Sequence, residues 1–223
     1  MCLGIGRALS QLYLGRADTT VIATVRNLEH SSVDKLRSLP VATNSRLITI
    51  KIDSASPTDA EEAVQILKSQ YKITKLDTLI ANAGIGNWMS AAETTPSELE
   101  DHLKINTVGP FILYTTTKQL LLNSKNPKFI VISTELASIG MIKDRPLPAL
   151  AYGVSKAAIN YLVVKLHHEE SSLIAVPIHP GWVKTGPGNR LAVAAGMEEA
   201  PLTLQQSATG LFEQLKWNFL ISA

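Results

Sequence analysis

The stretch K-F-I-V-I-S at residues 128–133 is an apolar run of strand length, and four more runs of this kind occur along the chain. These runs lie at residues 20–25, 46–52, 76–81 and 173–178, and helical patterns at 57–70, 96–122, about 149–170 and 203–217 alternate with them. Continuous apolar strands separated by helices are typical of a parallel sheet that is covered on both faces. The sequence therefore predicts an α/β fold with a doubly wound parallel sheet.

The length and composition suit one domain that acts on a small molecule. A chain of 223 residues with 45% hydrophobic side chains can build one α/β core, so we expect a single domain over residues 1–223. The net charge of +2 does not suggest nucleic acid or a membrane as partner. The single cysteine, Cys2, excludes an internal disulfide framework, and no spacing suits a metal. No apolar run reaches roughly 18 residues and no signal peptide is evident, so we expect a cytoplasmic protein.

Four of the five tyrosines are followed four residues later by a lysine. The pairs are Tyr71/Lys75, Tyr114/Lys118, Tyr152/Lys156 and Tyr161/Lys165. Residues four apart share one face of a helix, where an ammonium can favour the ionised form of a phenol, but a solvated lysine beside a half-buried tyrosine has the same spacing. Only Tyr152 begins a helix after a strand that ends in hydroxyls, Ser133 and Thr134. Tyr152 and Lys156 are therefore the candidate reactive pair.

Five polar or glycine-containing motifs follow one another along the chain. They are Asn82-Ala83-Gly84, Asn106, the strand end at Ser133 and Thr134, Tyr152-X-X-X-Lys156, and Pro180-Gly181-Trp182-Val183-X-Thr185. Their order and spacing resemble those of the short-chain dehydrogenase/reductases. Within that family the chain is similar to ketoreductases of the norsolorinic acid ketoreductase type, which serve fungal aromatic polyketide pathways. The resemblance implies a Rossmann-like fold and NADP-dependent reduction of a ketone on a small aromatic or polyketide-like substrate.

The resemblance also implies roles for the polar residues of these motifs. Tyr152 would donate a proton to the developing alkoxide, and Lys156 would lower the pKa of Tyr152 and hydrogen-bond the nicotinamide ribose. Asn106 would hold a water against the lysine, although a lone Asn within a helix can also be an ordinary polar position. The hydroxyl that polarises the carbonyl falls on Thr134, with Ser133 and Ser138 as alternatives.

The resemblance implies cofactor binding for residues that follow the first three apolar runs and the last one. Arg26 would pair with the 2′-phosphate of NADP, although a solvated surface arginine is the alternative. Asp53 would contact the adenine, unless it caps the following helix. Asn82-Ala83-Gly84 would approach the ribose, and Pro180, Gly181, Val183 and Thr185 would contact the nicotinamide amide. Residues 184–201, which we call the flap, are rich in Gly, Pro and Ala and are expected to cover the substrate. Trp88 and Met89 would either line the substrate pocket or pack in the core.

The two ends depart from the family pattern. Gly4-Ile5-Gly6 matches the last two glycines of the family's phosphate-binding turn, but the first strand has no counterpart here, and an ordinary chain start is the alternative for these residues. Without that strand the sheet would have two unpaired edges in its middle. The ending K-W-N-F-L-I-S-A also differs from the family's last strand. Both ends therefore look cut or replaced, and the alternative to an active enzyme is a catalytically silent remnant or an interaction protein. Relatives usually pair through the helices that carry Asn106 and Tyr152, so the resemblance implies a homo-oligomer, but the absence of the family's last strand weakens that inference and leaves the oligomeric state open.

Overall fold

The computed structural model of the chain describes residues 4–216. The predictions made for Cys2 and for the residues after Lys216 lie outside this range. Within it, the structure has an α/β fold whose five parallel strands are β1 (Thr20–Val25), β2 (Arg46–Lys51), β3 (Thr78–Ala81), β4 (Lys128–Ile132) and β5 (Ile174–Ile178). Each strand lies within one of the predicted apolar runs, so the predicted fold class is confirmed.

Eight α-helices accompany the strands in the described part of the chain. They are α1 (Ile5–Leu14), α2 (Ser31–Arg37), α3 (Asp59–Ser69), α4 (Pro96–Leu103), α5 (Gly109–Leu122), α6 (Leu150–Glu169), α7 (Gly186–Ala194) and α8 (Leu204–Lys216). The helix predicted over 96–122 is α4 and α5 joined by a π-helical turn, Lys104–Val108, and 3₁₀ turns at Glu135–Ala137 and Ile139–Asp144 follow β4. The helices α1, α2 and α7 were not predicted.

The strands form two sheets. β1 pairs only with β2, whereas β4 lies between β3 and β5. Among residues 4–216 no strand lies between β1 and β3. The side chains of β3 before Ala81 are only partly buried, whereas every residue of β4 is buried. A small cleft of about 40 Å³ between the two sheets is lined by Thr24 of β1, by Ile80 and Ala81 of β3 and by the loops that follow β2 and β3.

Helices cover both faces of the three-stranded sheet. On one face, Phe129 and Val131 of β4 pack against Tyr114 of α5 and Ile159 and Val163 of α6. On the other face, a second cluster joins alternate strand residues to α1 and α8. Its members are Leu9, Ile130, Ile132, Ile178, Ala208, Leu211, Phe212 and Leu215. Because successive strand side chains point to opposite faces, this alternation fixes the register of β4 between two apolar layers.

Asp59, at the start of α3, organises the loop at the carboxyl end of β2. Its carboxylate accepts hydrogen bonds from Lys51 Nζ at 2.8 Å, Ser56 Oγ at 2.8 Å and the backbone N–H of Asp53 at 2.7 Å. The side-chain bond from Lys51 is the main cause that holds the pKa of Asp59 below its ordinary value. Asp59 was not among the residues that the sequence singled out, and it holds the backbone of Asp53 in place.

We expect Asp59→Asn to lower the melting temperature by about 3–6 °C at pH 7, since a charged acceptor for three donors is lost. The pKa is depressed in the folded state, so this contribution is present above the ordinary carboxyl pKa and is lost as the pH falls through the folded value. Thermal unfolding at pH 7 and at pH 3 measures it, and the difference from the wild type should shrink at pH 3. Glu62→Gln, an exposed position in the first turn of the same helix, is the control. Equal stability of the two variants at pH 7 would refute the assignment.

Candidate active site

The phenol of Tyr152 lies at the start of α6, at the carboxyl end of the three-stranded sheet. Lys156 is one turn further along α6 and is 4% exposed. The helix begins beside the loop that follows β3, because the backbone N–H of Leu150 donates to the carbonyl of Met89 at 3.2 Å. Tyr161, the other tyrosine of α6 with a lysine four residues on, is 75% exposed. The two Tyr-Lys pairs on α6 therefore occupy different environments.

Of the three candidate hydroxyls, the structure brings Thr134 to Tyr152. The Thr134 hydroxyl is hydrogen-bonded to the phenol. Ser133 is also buried, but its hydroxyl donates to Asn160 Oδ1 at 2.6 Å. Ser138 is exposed at the start of the second 3₁₀ turn. Thr134 is thus the hydroxyl that can act together with the phenol.

The ionisable groups of this pair are shifted by burial. Removal from water raises the pKa of Tyr152 to about 12, against a smaller lowering effect of the Thr134 hydrogen bond. Burial lowers the pKa of Lys156 to about 8. The expected net lowering of the phenol pKa is therefore not found here, because burial is the dominant cause and shifts the pKa upward. The geometry explains this, because Lys156 Nζ donates to the carbonyl of Ile132 at 2.7 Å and lies 5.9 Å from the centroid of the Tyr152 ring.

Asn106 is fully buried in the π-helical turn and connects two parts of the site. Its Nδ2 donates to the carbonyl of Ile85 at 2.9 Å and to Ser155 Oγ at 3.0 Å, and its Oδ1 accepts from the N–H of Ile85 at 2.9 Å. The loop after β3 is thereby tied to α6. Turns of π-helix are frequent at functional sites, where they displace one residue from the regular helix.

Glycines allow three segments to meet at the cleft. A Cβ at Gly84 would lie 2.9 Å from Asn106 Oδ1, and one at Gly6 would lie 2.7 Å from Asn82 Nδ2. The first turn of α1 therefore packs against the end of β3. Gly4 precedes α1 without a side-chain hydrogen bond to cap it, and no acidic residue lies in the first turn. The N–H groups at this helix end carry the positive end of the helix dipole.

The remaining predicted cofactor residues lie at the carboxyl ends of β1, β2 and β5. Arg26 follows β1 and is exposed. Asp53 follows β2, and its Oδ1 accepts from the N–H of Ala55 at 2.9 Å; Ser56 rather than Asp53 accepts from the first N–H groups of α3. After β5, Gly181 has a φ of +79°, a conformation that favours glycine. The carbonyl of Pro180 accepts a hydrogen bond from the Ser207 hydroxyl, and the side chain of Val183 is buried. The Thr185 hydroxyl caps α7 by accepting from the N–H of Gly188 at 3.1 Å.

His102 is a buried residue of this region that the sequence did not single out. Its Nδ1 donates to the carbonyl of Glu98 at 2.7 Å, and its Nε2 accepts from the backbone N–H of Asn87 at 3.2 Å. The side chain of Asn87 also donates to the Glu98 carboxylate. His102 therefore fixes the loop after β3. The spacing of Glu98 and His102 on one helix gives no sign of this partner, which is 15 residues away in sequence.

Comparison with known proteins identifies the family. The family model of short chain dehydrogenases matches residues 1–193. The chain belongs to this family of oxidoreductases. It is 38% identical over 211 residues to norsolorinic acid ketoreductase of Aspergillus parasiticus, and the aligned region covers 93% of this chain and 78% of that protein. A norsolorinic acid ketoreductase of Emericella nidulans is also 38% identical, over 93% of this chain and 80% of that protein.

Solved structures of carbonyl reductases share the fold. The NADPH-bound carbonyl reductase from chicken fatty liver superimposes with a TM-score of 0.82 at 24% identity, over 97% of this chain and 88% of that chain. The carbonyl reductase Sniffer of D. melanogaster gives a TM-score of 0.78 at 25% identity, over 96% and 88%. In the described part of the present short-chain dehydrogenase, no helix is long and apolar enough to span a bilayer, and no group of three or more His, Cys, Asp or Glu side chains could hold a metal.

Proposed function

We propose that this short-chain dehydrogenase reduces a ketone to an alcohol with NADPH, on a small aromatic or polyketide-like substrate. The observation that carries the proposal is the convergence of three groups at the end of β4. The Tyr152 phenol is hydrogen-bonded to the Thr134 hydroxyl, and Lys156 Nζ lies over the phenol ring while it donates to the carbonyl of Ile132. The similarity to fungal ketoreductases supports the substrate class.

We infer that residues around the cleft would hold the nicotinamide dinucleotide. The absence of a Cβ at Gly6 and Gly84 lets the side chains of Asn82 and Asn106 pack against the backbone there, which keeps the first turn of α1 beside the loop that follows β3. The uncapped first turn of α1, at Gly4-Ile5-Gly6, would receive the pyrophosphate. Asp53 would contact the adenine, and the exposed Arg26 would pair with a 2′-phosphate. Two loops would border the ribose and the nicotinamide. The loop after β3 contributes Asn82, Ala83 and Gly84, and the loop after β5 contributes Pro180, Gly181, Val183 and Thr185.

Tyr152 and Thr134 would act on the substrate oxygen. Bound NADPH would supply the hydride for the new C–H bond, with the electron pair of the C=O π bond passing to oxygen. Thr134 would donate a hydrogen bond to that oxygen, and Tyr152 would transfer its proton to it to complete the alcohol. A pKa of about 12 keeps the phenol protonated at neutral pH, and an alkoxide is a strong enough base to remove its proton.

Lys156 would stabilise the phenolate that remains. With a pKa of about 8, most of the lysine is charged at pH 7. An ammonium over the Tyr152 ring attracts the phenolate more strongly than the neutral phenol, a contribution that would be smaller than the effect of burial on the phenol pKa. Asn106 would support the lysine by holding Gly84 and Ile85 beside α6. Lys156 therefore favours the product of proton transfer over the starting state.

We expect Arg26→Ala to weaken NADPH binding by roughly 10- to 100-fold, because a charged hydrogen bond to the 2′-phosphate is lost. NADH binding should be unchanged, since NADH has no phosphate there. The measurement is a fluorescence titration with each cofactor. Arg46→Ala, at the opposite end of the same two-stranded sheet, is the control and should change neither affinity. An equal loss for NADPH and NADH would contradict this role of Arg26.

The second candidate function is an interaction protein, or a silent remnant, without catalysis. The observation in its favour is the gap between β1 and β3, where the described residues form no strand that pairs with either of them. The facing edges of β1 and β3 are therefore unpaired, beside the segment that would hold the pyrophosphate. The same titration decides between the two candidates. No change in nicotinamide fluorescence at near-millimolar NADPH would favour the second one.

A further inference from the structure

The indole of Trp88 connects the candidate catalytic phenol to the flap. Its ring meets the Tyr152 ring edge to face, with centroids 5.1 Å apart and an interplanar angle of 78°. Its Nε1–H donates to the carbonyl of Pro187, in the first turn of α7, at 3.1 Å. A Cβ at Gly86 would lie 2.8 Å from the indole, so the ring lies directly over the backbone there. Three neighbours therefore define the position of this side chain.

The backbone that carries Trp88 is held on both sides. The N–H of Asn87 donates to the buried His102 at 3.2 Å, and the Asn87 side chain donates to Glu98. On the other side, the carbonyl of Met89 accepts from the N–H of Leu150, at the start of the helix that carries Tyr152. The indole therefore starts from an anchored segment and keeps its place beside the phenol.

A second tryptophan holds the same helix without reaching the phenol. Trp182 donates its Nε1–H to the carbonyl of Gly188 at 2.9 Å, one residue beyond the carbonyl that Trp88 uses. The two indoles therefore make matching hydrogen bonds to adjacent carbonyls of α7. Only Trp88 among them also contacts Tyr152. The chain thus provides its own control for the effect of the ring contact.

We propose that Trp88 is a specificity-determining residue that selects aromatic ketones by packing against their rings beside Tyr152. The proposal rests on the proposed function and deepens it. A carbonyl that reaches the Tyr152 hydroxyl brings its substituents next to the indole, because the two rings are in contact. Aromatic rings pair edge to face or offset with an indole more favourably than saturated rings of the same size do.

The test compares two bicyclic ketones of equal size, 1-tetralone and 1-decalone, of which only the first has an aromatic ring. Calorimetry with protein saturated with NADP⁺ measures both affinities. We expect wild type to prefer 1-tetralone by roughly 2- to 10-fold, the range given by one aromatic contact. Trp88→Leu should abolish this preference, Trp88→Phe should retain most of it, and Trp182→Phe should leave it unchanged.

Gly86→Ala gives the same test without removing the tryptophan. The added methyl group would displace the indole, so the preference for 1-tetralone should fall while Trp88 itself remains. This variant decides the matter if Trp88→Leu does not fold, which a thermal melt would show. A preference that survives both Trp88→Leu and Gly86→Ala would overturn the proposal, and so would a wild type that binds both ketones equally or neither.

NADPH consumption separates failure of this proposal from failure of the proposed function. Turnover of both ketones that depends on Tyr152 but not on Trp88 would leave the function standing and overturn the assignment of Trp88. Binding of 1-tetralone that depends on Trp88, in a protein that consumes no NADPH, would uphold the assignment and refute the function.

Discussion

Tyr152→Phe is expected to lower kcat/KM for ketone reduction by roughly 10²- to 10⁴-fold, the range of a lost general acid, while NADPH affinity stays the same. The substitution removes the oxygen that would donate the proton and keeps the ring that packs against Trp88. Hydride transfer would then form an alkoxide without a neighbouring acid. Steady-state NADPH consumption with 1-tetralone measures the loss, and a fluorescence titration measures the affinity.

Tyr161→Phe is the matched control for this prediction. Tyr161 lies on the same helix and also precedes a lysine by four residues, but it is 75% exposed. Its replacement should leave kcat/KM unchanged. If both substitutions had the same effect, or if Tyr152→Phe retained full activity, Tyr152 would not be the proton donor.

Lys156→Met is expected to lower kcat/KM by roughly 10²-fold at pH 7, because the phenolate formed from Tyr152 loses the nearby positive charge. The pH dependence gives a more specific signature. Burial lowers the pKa of Lys156 to about 8, so the ammonium is present below that pH and is lost above it. Wild-type kcat/KM should therefore decline as the pH rises through about 8. In Lys156→Met this decline should be absent.

Lys165→Met serves as the control for the loss of a lysine from the same helix. Lys165 is exposed and pairs with Glu169 at 2.8 Å, one turn away. Its variant should keep both the activity and the alkaline decline of the wild type. A decline near pH 8 that persists in Lys156→Met would show that another group titrates there.

The strands could be predicted from the sequence because their signal is local. Each buried strand reads as a continuous apolar run, and β4, buried along its whole length, is the clearest case. Three helices could not be predicted in the same way. The residue at the N-cap of α1 is Gly4, which has no side chain to signal the helix start, and α2 has only seven residues. α7 begins with Gly186-Pro187-Gly188, which indicates a loop by composition, yet Thr185 caps it and Pro187 suits its first turn.

The candidate site could be predicted where one element determines it. Tyr152 and Lys156 follow from helical spacing and from the strand that precedes them. The choice between Thr134 and Ser133 depends on Asn160, which lies 27 residues beyond Ser133. The contact of Trp88 with the flap spans 99 residues. The direction of the Tyr152 pKa shift depends on burial by several segments, and the distance between two residues on one helix does not reveal it.

The most direct test of this account uses one sample of the purified chain. NADPH is added while nicotinamide fluorescence is followed, and 1-tetralone is then added to the same sample. The account predicts a rise in fluorescence as NADPH binds, then a fall as NADPH is consumed and an equal amount of alcohol forms, with no such fall in Tyr152→Phe. No rise at near-millimolar NADPH, or consumption that Tyr152→Phe leaves unchanged, would contradict it.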